Sequence, residues 1–200
     1  MIKFRGIKVA GSSPAPPSNK FKRKKTMKKL LLLSTLSLTL SIANAGSIQG
    51  VGFSGGDGST DTALSVVLSA INSSKQSIDV LAYSFTSKPI AEALIAAKKR
   101  GVTVQIVADA NQNSKSYSAV NTTANAGIST RLNGNYQDFH NKVMIIDNQC
   151  VELGSFNYSA SAANKNAENA LVICDGELAQ IYDKQFQRWF NEGTPVSSRY

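Results

Sequence analysis

The sequence predicts an α/β fold in which a mixed β-sheet is covered by helices on both faces. Three features point there. Ile78 to Phe85, IDVLAYSF, is a dense apolar run of strand length, the composition expected where both faces of a sheet are covered. Helical and strand patterns alternate through the first part of the domain, and strands then crowd together after Gly127. Near the C-terminus, Leu178, Ile181, Tyr182, Trp189 and Phe190 make one apolar face of a helix able to cover such a sheet.

Each element has its own reason. GFSGGDGST, Gly52 to Thr60, reads as a Gly/Ser/Asp loop, and Asp61 to Ser73 then carries Ala63, Val66, Val67, Leu68 and Ile71 at helical spacing. After the strand Ile78 to Phe85, Ser87 offers a cap and Pro89 an early proline. Ile90, Ala91, Leu94 and Ile95 then form one face, and Lys98, Lys99 and Arg100 precede a stopping Gly101. Val102 to Ala108 alternates as a strand. Ser114 to Asn125 predicts a helix stopped by Gly127, followed by a strand from Ile128 to Leu132. Val143 to Ile146 and Cys150 to Leu153 read as strands joined through a tight turn at Asp147-Asn148, and Ala170 to Cys174 as another.

The domain begins well inside the chain. From Met27, two lysines lead into an apolar stretch from Leu30 to about Ile42 and then Ala43-Asn44-Ala45, the small-x-small pattern of a secretory signal cleaved after Ala45. A core helix or membrane anchor fits less well, because the run is short and carries several Ser and Thr. Residues 1–26 read as an N-terminal extension outside the fold, with the start at Met1 or Met27 left open, and residues 46–200 as the working domain. That domain is then periplasmic or secreted, with no stable membrane anchor after cleavage.

This division decides what the charge means. The chain holds 22 basic and 13 acidic residues, but 10 of the basic ones and none of the acidic ones lie in residues 1–45. Removing them leaves 12 basic against 13 acidic, a net of −1, so the mature domain is not a generic polycation and any polyanion binding needs a local cluster. Cys150 and Cys174 are the only cysteines. They are disulfide candidates in an oxidising compartment, with two buried free thiols as the alternative. One histidine and two distant cysteines supply too few ligands for a structural zinc.

The lone histidine opens HNKVMIID. If the segment around Lys142 is extended, His140 and Lys142 point to one face, whereas Asp147 near the following turn need not. An imidazole beside an ammonium suits phosphate chemistry: Lys stabilises oxyanion charge, and His attacks phosphorus or moves a proton near neutral pH. Gly154-Ser155-Phe156-Asn157 follows the next strand with a hydroxyl and an amide, and Glu168 stands just before another strand.

Together these residues resemble the signature of the phospholipase D superfamily: His140-x-Lys142, four residues, Asp147, six residues, then Gly154-Ser155, with Asn157 and Glu168 also at the family's positions. VGFS, IDVLAYSFT, AAKKRGV, GSFNYS and KNAENALVI extend the likeness over nearly all of residues 46–200, toward the superfamily's small secreted bacterial endonuclease, which has one motif copy per chain. The two cysteines are not part of that pattern.

The resemblance implies hydrolysis in two displacements. One histidine attacks phosphorus, and a second protonates the leaving oxygen and then activates water. Since this chain has one histidine, the second must come from another copy, giving a two-fold homodimer that shares one active site. Lys142 and Asn157 would hold the nonbridging oxygens, with Ser155 and Glu168 behind them, the carboxylate orienting an imidazole. Asp147 and Gly154 would be structural. The scheme requires no metal and no cofactor.

The motif reads the phosphodiester and not the rest of the substrate. Lys165, Arg131 and Lys115 are the candidate nucleic-acid contacts, and Tyr136, Phe139 and Tyr158 the only aromatic groups near the motif for a membrane surface, more in keeping with core or stacking roles. The short chain favours an endonuclease acting on DNA, with RNA as a second candidate. The alternatives are a phospholipase D acting on phospholipid headgroups and a noncatalytic nucleic-acid or envelope-binding module.

Overall fold

The computed structural model describes residues 46–54 and 62–198. The extension over 1–26, the signal over 27–45, most of the Gly/Ser/Asp loop and the Asp61 start of the first helix lie outside these residues.

Among the described residues, eight strands and five helices follow one another as β1 (Ser47–Ser54), α1 (Ala63–Ser73), β2 (Ser77–Ala82), α2 (Lys88–Lys99), β3 (Thr103–Asp109), α3 (Ala119–Asn125), β4 (Ser129–Asn133), β5 (Lys142–Ile146), β6 (Cys150–Gly154), α4 (Ala160–Asn164), β7 (Glu168–Cys174), α5 (Gly176–Glu192) and β8 (Thr194–Pro195). The strands form one mixed sheet in the order β1-β7-β6-β5-β2-β3-β4-β8. Only β2, β3 and β4 pair in parallel. Their crossovers run through α2 and α3, whereas β5, β6 and β7 pair antiparallel.

Both faces are covered. On one, Val67 and Ile71 of α1, Ile90 and Leu94 of α2, Val120 of α3 and Ala162 of α4 pack on Val80, Ile106, Met144 and Ile146. On the other, Ala179, Phe186 and Phe190 of α5 cover Leu81, Val107, Val143, Ile145 and Val151. β2 and β5 are buried along nearly all their length, as their mainly apolar sequences predict, with Asp79 and Lys142 the buried polar exceptions.

Local chemistry sets the ends. Thr62 accepts the Ser65 N–H and caps α1. Pro89 and the Lys98-Lys99 pair bound α2, and Gly101 beyond it has φ 94°, a left-handed conformation that favours glycine. Asp147 and Asn148 both take positive φ, 54° and 52°, in the tight turn between β5 and β6.

Several expectations are corrected. Ser87 occupies the N-cap of α2, but its side chain makes no capping bond. β2 stops at Ala82 because the next residues turn away: the Asn113 side chain takes the Phe85 N–H and gives a hydrogen bond to the Tyr83 carbonyl. The same side chain and the Ser118 cap delay α3 until Ala119, so Ser114 to Ser118 is turn and not helix. Ile181 is 64% exposed on α5, where Phe186 takes the core position instead. β1, β8 and α4 were not expected.

Candidate active site

Antiparallel pairing of β5, β6 and β7 brings the start of β5, the end of β6 and the start of β7 to one edge of the sheet, beside the carboxyl ends of β2 and β3. Lys142 pairs with Ala82, and Gly154 with Ala170. His140 lies just before β5, Ser155 and Asn157 just after β6, and Glu168 opens β7. Of the sequence-selected residues these five and Gly154 share this edge. Asp147 does not: it follows the far end of β5, roughly 16 Å along a five-residue strand. There its carboxylate accepts the backbone N–H groups of Lys75, Gln76 and Ser77, tying the entry to β2 to the β5–β6 turn.

His140 is exposed and Lys142 only 7% exposed. The Lys142 ammonium donates to the His140 carbonyl at 3.1 Å and lies 4.9 Å from the centre of the Tyr83 ring. The His140 imidazole meets the same ring edge-on, with centroids 4.4 Å apart. Burial pulls the Lys142 pKa down, and the Glu168 carboxylate opposes that pull, so the two motif charges are electrostatically coupled.

Behind them, the Ser155 hydroxyl donates to Glu168 at 2.6 Å, and the Asn166 amide donates to the other carboxylate oxygen at 2.8 Å. Ser155 also accepts the Asn169 N–H at 3.1 Å. Gly154 allows this approach, since a Cβ there would run into the Asn169 carbonyl oxygen. Asn157 Oδ1 is out of solvent and has no partner among the described residues, an unpaired acceptor just after the end of β6. The edge therefore gathers an imidazole, an ammonium, a hydroxyl–carboxylate pair and an amide, side-chain types able to serve an anionic ester.

The substrate-contact candidates fare differently. Lys165, at the C-cap of α4, and Lys115, in the turn before α3, are exposed. Arg131 is engaged elsewhere: it donates to the Phe190 and Gly193 carbonyls and stacks over the Phe190 ring at 4.3 Å, anchoring the end of α5. Phe139 and Tyr158 are core residues, 2% and 0% exposed, while Tyr136 is 38% exposed and bonds Glu192. Cys150 and Cys174, opposite each other on β6 and β7, form a disulfide. No group of three or more His, Cys, Asp or Glu able to hold a metal occurs among the described residues. Nor is any helix among them long and apolar enough to cross a membrane.

Sequence reasoning missed Tyr83, Asp109 and Asp138. The buried Asp109 carboxylate accepts the Phe139 N–H at 2.8 Å, and Asp138 accepts the Tyr83 hydroxyl at 3.0 Å, so both hold the segment that carries His140. The available signal was polarity at the carboxyl ends of otherwise apolar strands, Tyr83-Ser84 after β2 and Asp109 closing β3.

Comparison with known proteins agrees with this geometry. The profile of the family described as "Cardiolipin synthase, PLD-like domain" matches residues 67–190. The crystal structure of Nuc from Salmonella typhimurium, described as a phospholipase D family member, superposes with a TM-score of 0.72 at 44% identity, covering 77% of this chain and 100% of that one. A protein named phospholipase D from Rickettsia conorii is 37% identical over 125 residues, 62% of this chain. A mitochondrial cardiolipin hydrolase from Xenopus laevis is 27% identical over 141 residues, 70% of this chain and 67% of its own. The match spans only 61% of the Rickettsia protein's length. A mixed eight-stranded sheet with helices on both faces, carrying one H-x-K site at its edge, is thus accounted for: the chain belongs to the phospholipase D superfamily of phosphodiesterases, with one such domain.

Proposed function

We propose that the protein is a sequence-nonspecific endonuclease that hydrolyses DNA, and RNA as a second substrate, through a phosphohistidine at His140. The carrying observation is that a chain with a single histidine holds it at the site edge, with Lys142 bonded to its carbonyl and the Ser155–Glu168 pair at the neighbouring strand ends. His140 attacks phosphorus as the P–O ester bond breaks, and the departing oxygen takes a proton from the His140 of a second copy. That imidazole then accepts a proton from water, which attacks phosphorus and breaks the P–N bond, returning His140. Lys142 and Asn157 stabilise the nonbridging oxygens, and Glu168 orients and stabilises a charged imidazole.

The scheme needs two imidazoles, so the working form is a two-fold homodimer. Val51 and Phe53, 43% and 60% exposed on edge strand β1, offer apolar surface for a second copy. No step calls for a metal. The likeness runs over the whole length of Nuc, and the nucleic-acid substrate follows the sequence's resemblance to the superfamily's small secreted bacterial endonuclease. The disulfide suits the periplasmic or secreted location that the signal over residues 27–45 predicts.

A phospholipase D acting on phospholipid headgroups is the second reading, favoured by the names of the Rickettsia and Xenopus relatives. Plasmid DNA, RNA and phosphatidylcholine vesicles assayed in parallel separate the two. Cut DNA with intact lipid supports the nuclease, and headgroup release with intact DNA replaces it. Mixing His140→Ala chains with wild-type chains tests the shared site: mixed dimers are nearly inactive if each site needs both histidines, and half-active if it does not.

A further inference from the structure

The segment leading into β5 wraps around one aromatic ring. Three alternate residues meet Tyr83: the Asp138 carboxylate accepts its hydroxyl at 3.0 Å, the His140 imidazole packs edge-on with centroids 4.4 Å apart and planes at 63°, and the Lys142 ammonium lies 4.9 Å from its centre. The chain turns tightly at His140, the Asn141 N–H donating to the Phe139 carbonyl at 2.9 Å, and the three side chains flanking that γ-turn meet on one ring.

The Tyr83 backbone is fixed on both sides. Its N–H donates to the Asn141 carbonyl at 2.7 Å, and its carbonyl accepts the Asn113 amide at 2.7 Å. Asn113 is itself 2% exposed and also bonds the Asp109 carbonyl, the Phe85 N–H and the Ser118 hydroxyl. Asp109 in turn holds the Phe139 N–H, one residue before His140. The ring therefore stands on a rigid support, while the His140 imidazole is exposed and makes no hydrogen bond among the described residues.

We propose that Tyr83 is a positioning residue for the phosphodiesterase reaction, setting the plane of the His140 imidazole and the place of the Lys142 ammonium through its ring, with the Asp138 hydrogen bond locking the ring angle. This rests on the assignment of His140 as nucleophile. An edge-on aromatic contact is orientation-dependent, and an ammonium over a ring face is held without losing its donors. The hydrogen bond to Asp138 and the charges of Asp138 and Asp109 raise the phenol pKa, keeping the hydroxyl a donor. A nucleophile free to rotate loses alignment, which lowers the rate of the chemical step more than it weakens binding.

Being the only histidine, His140 gives one assignable imidazole Cε1–H proton signal. In the wild type the Tyr83 ring current displaces it from the free-imidazole position. Tyr83→Phe keeps the displacement, and Tyr83→Leu abolishes it. With bis(p-nitrophenyl) phosphate as a small diester, Tyr83→Leu lowers kcat by about tenfold or more with KM changed by less than about twofold, and Tyr83→Phe recovers most of the loss. A Tyr83→Leu protein with wild-type kcat, or an imidazole signal that does not move, overturns the proposal while leaving the His140 reading intact. A His140→Ala protein that hydrolyses the diester as fast as wild type overturns both. If Tyr83→Leu fails to fold, Asp138→Asn and Tyr83→Phe supply the comparison: each frees the ring from its hydrogen bond and lowers kcat by about two- to threefold with KM and stability unchanged, and wild-type kcat in both overturns the ring-locking role.

Discussion

The Ser155 hydroxyl donates to the Glu168 carboxylate at 2.6 Å, joining the residue after β6 to the first residue of β7. That carboxylate also raises the pKa of Lys142 against the burial that lowers it. Glu168→Gln keeps an oxygen for Ser155 but removes the charge. Lys142 then loses its proton at lower pH than in the wild type, and the alkaline limb of the activity profile moves down. Under the proposed mechanism the maximal rate also falls, by up to about 10⁴-fold, the loss that follows neutralising a carboxylate that orients a catalytic imidazole. A variant with an unmoved alkaline limb contradicts the coupling.

Glu152 makes a prediction about stability and pH. It is 1% exposed in the middle of the sheet, one oxygen accepting the Tyr158 hydroxyl at 2.7 Å and the other with no partner. Burial pushes its carboxyl up to about 8 from the usual 4.5, against the opposing Tyr158 hydrogen bond. Between those values the folded protein keeps a proton that the unfolded chain has lost, so stability falls as pH rises through that window and levels off above it. Asp79, raised from 3.8 to about 7 by burial and by Asp183, acts in the same direction. Each group contributes a slope of at most about 1.4 kcal/mol per pH unit. Glu152→Gln retains an acceptor for Tyr158 and removes that group's share. Urea unfolding at about pH 5 and about pH 8 should show a smaller loss in the variant; equal losses argue against a protonated Glu152.

Asp147→Ala separates structure from chemistry. It strips the acceptor from the N–H groups of Lys75, Gln76 and Ser77 at the edge opposite the site. We expect a loss of about 3 kcal/mol in unfolding free energy, with kcat of the folded fraction unchanged. A rate defect without a stability defect would move Asp147 into the site.

The Cys150–Cys174 bridge closes a loop with a sequence separation of 24 that contains the Ser155, Asn157 and Glu168 segment. Replacing both cysteines by serine should cost about 2–4 kcal/mol and lower Tm. An unchanged Tm, or free thiols titrating in the native protein, would contradict the bridge.

What could be read in the sequence tracks how locally each feature is determined. α2 was legible because Pro89, Lys98, Lys99 and Gly101 mark its ends within the segment itself. β2 and β5 were legible because both faces are buried, leaving mainly apolar runs. β1 was not: SIQGVGFS contains two glycines, leaves Ile48, Val51 and Phe53 exposed and is a strand through its pairing with β7. The late start of α3 depends on Asn113 reaching back to β2. At the site, fixed offsets pointed to His140, Lys142, Ser155 and Glu168, whereas Tyr83, Asp109 and Asp138 become visible only once β2 and β3 are folded beside β5. Arg131 looked available as a cation and is committed to the end of α5, an engagement formed across the fold.

The most direct test of the central claim is nicking of plasmid DNA by the purified protein in excess EDTA, beside the His140→Ala variant. Cleavage should survive the chelator and disappear in the variant. Cleavage that EDTA abolishes, or that persists without the imidazole, would contradict a metal-independent nuclease acting through His140.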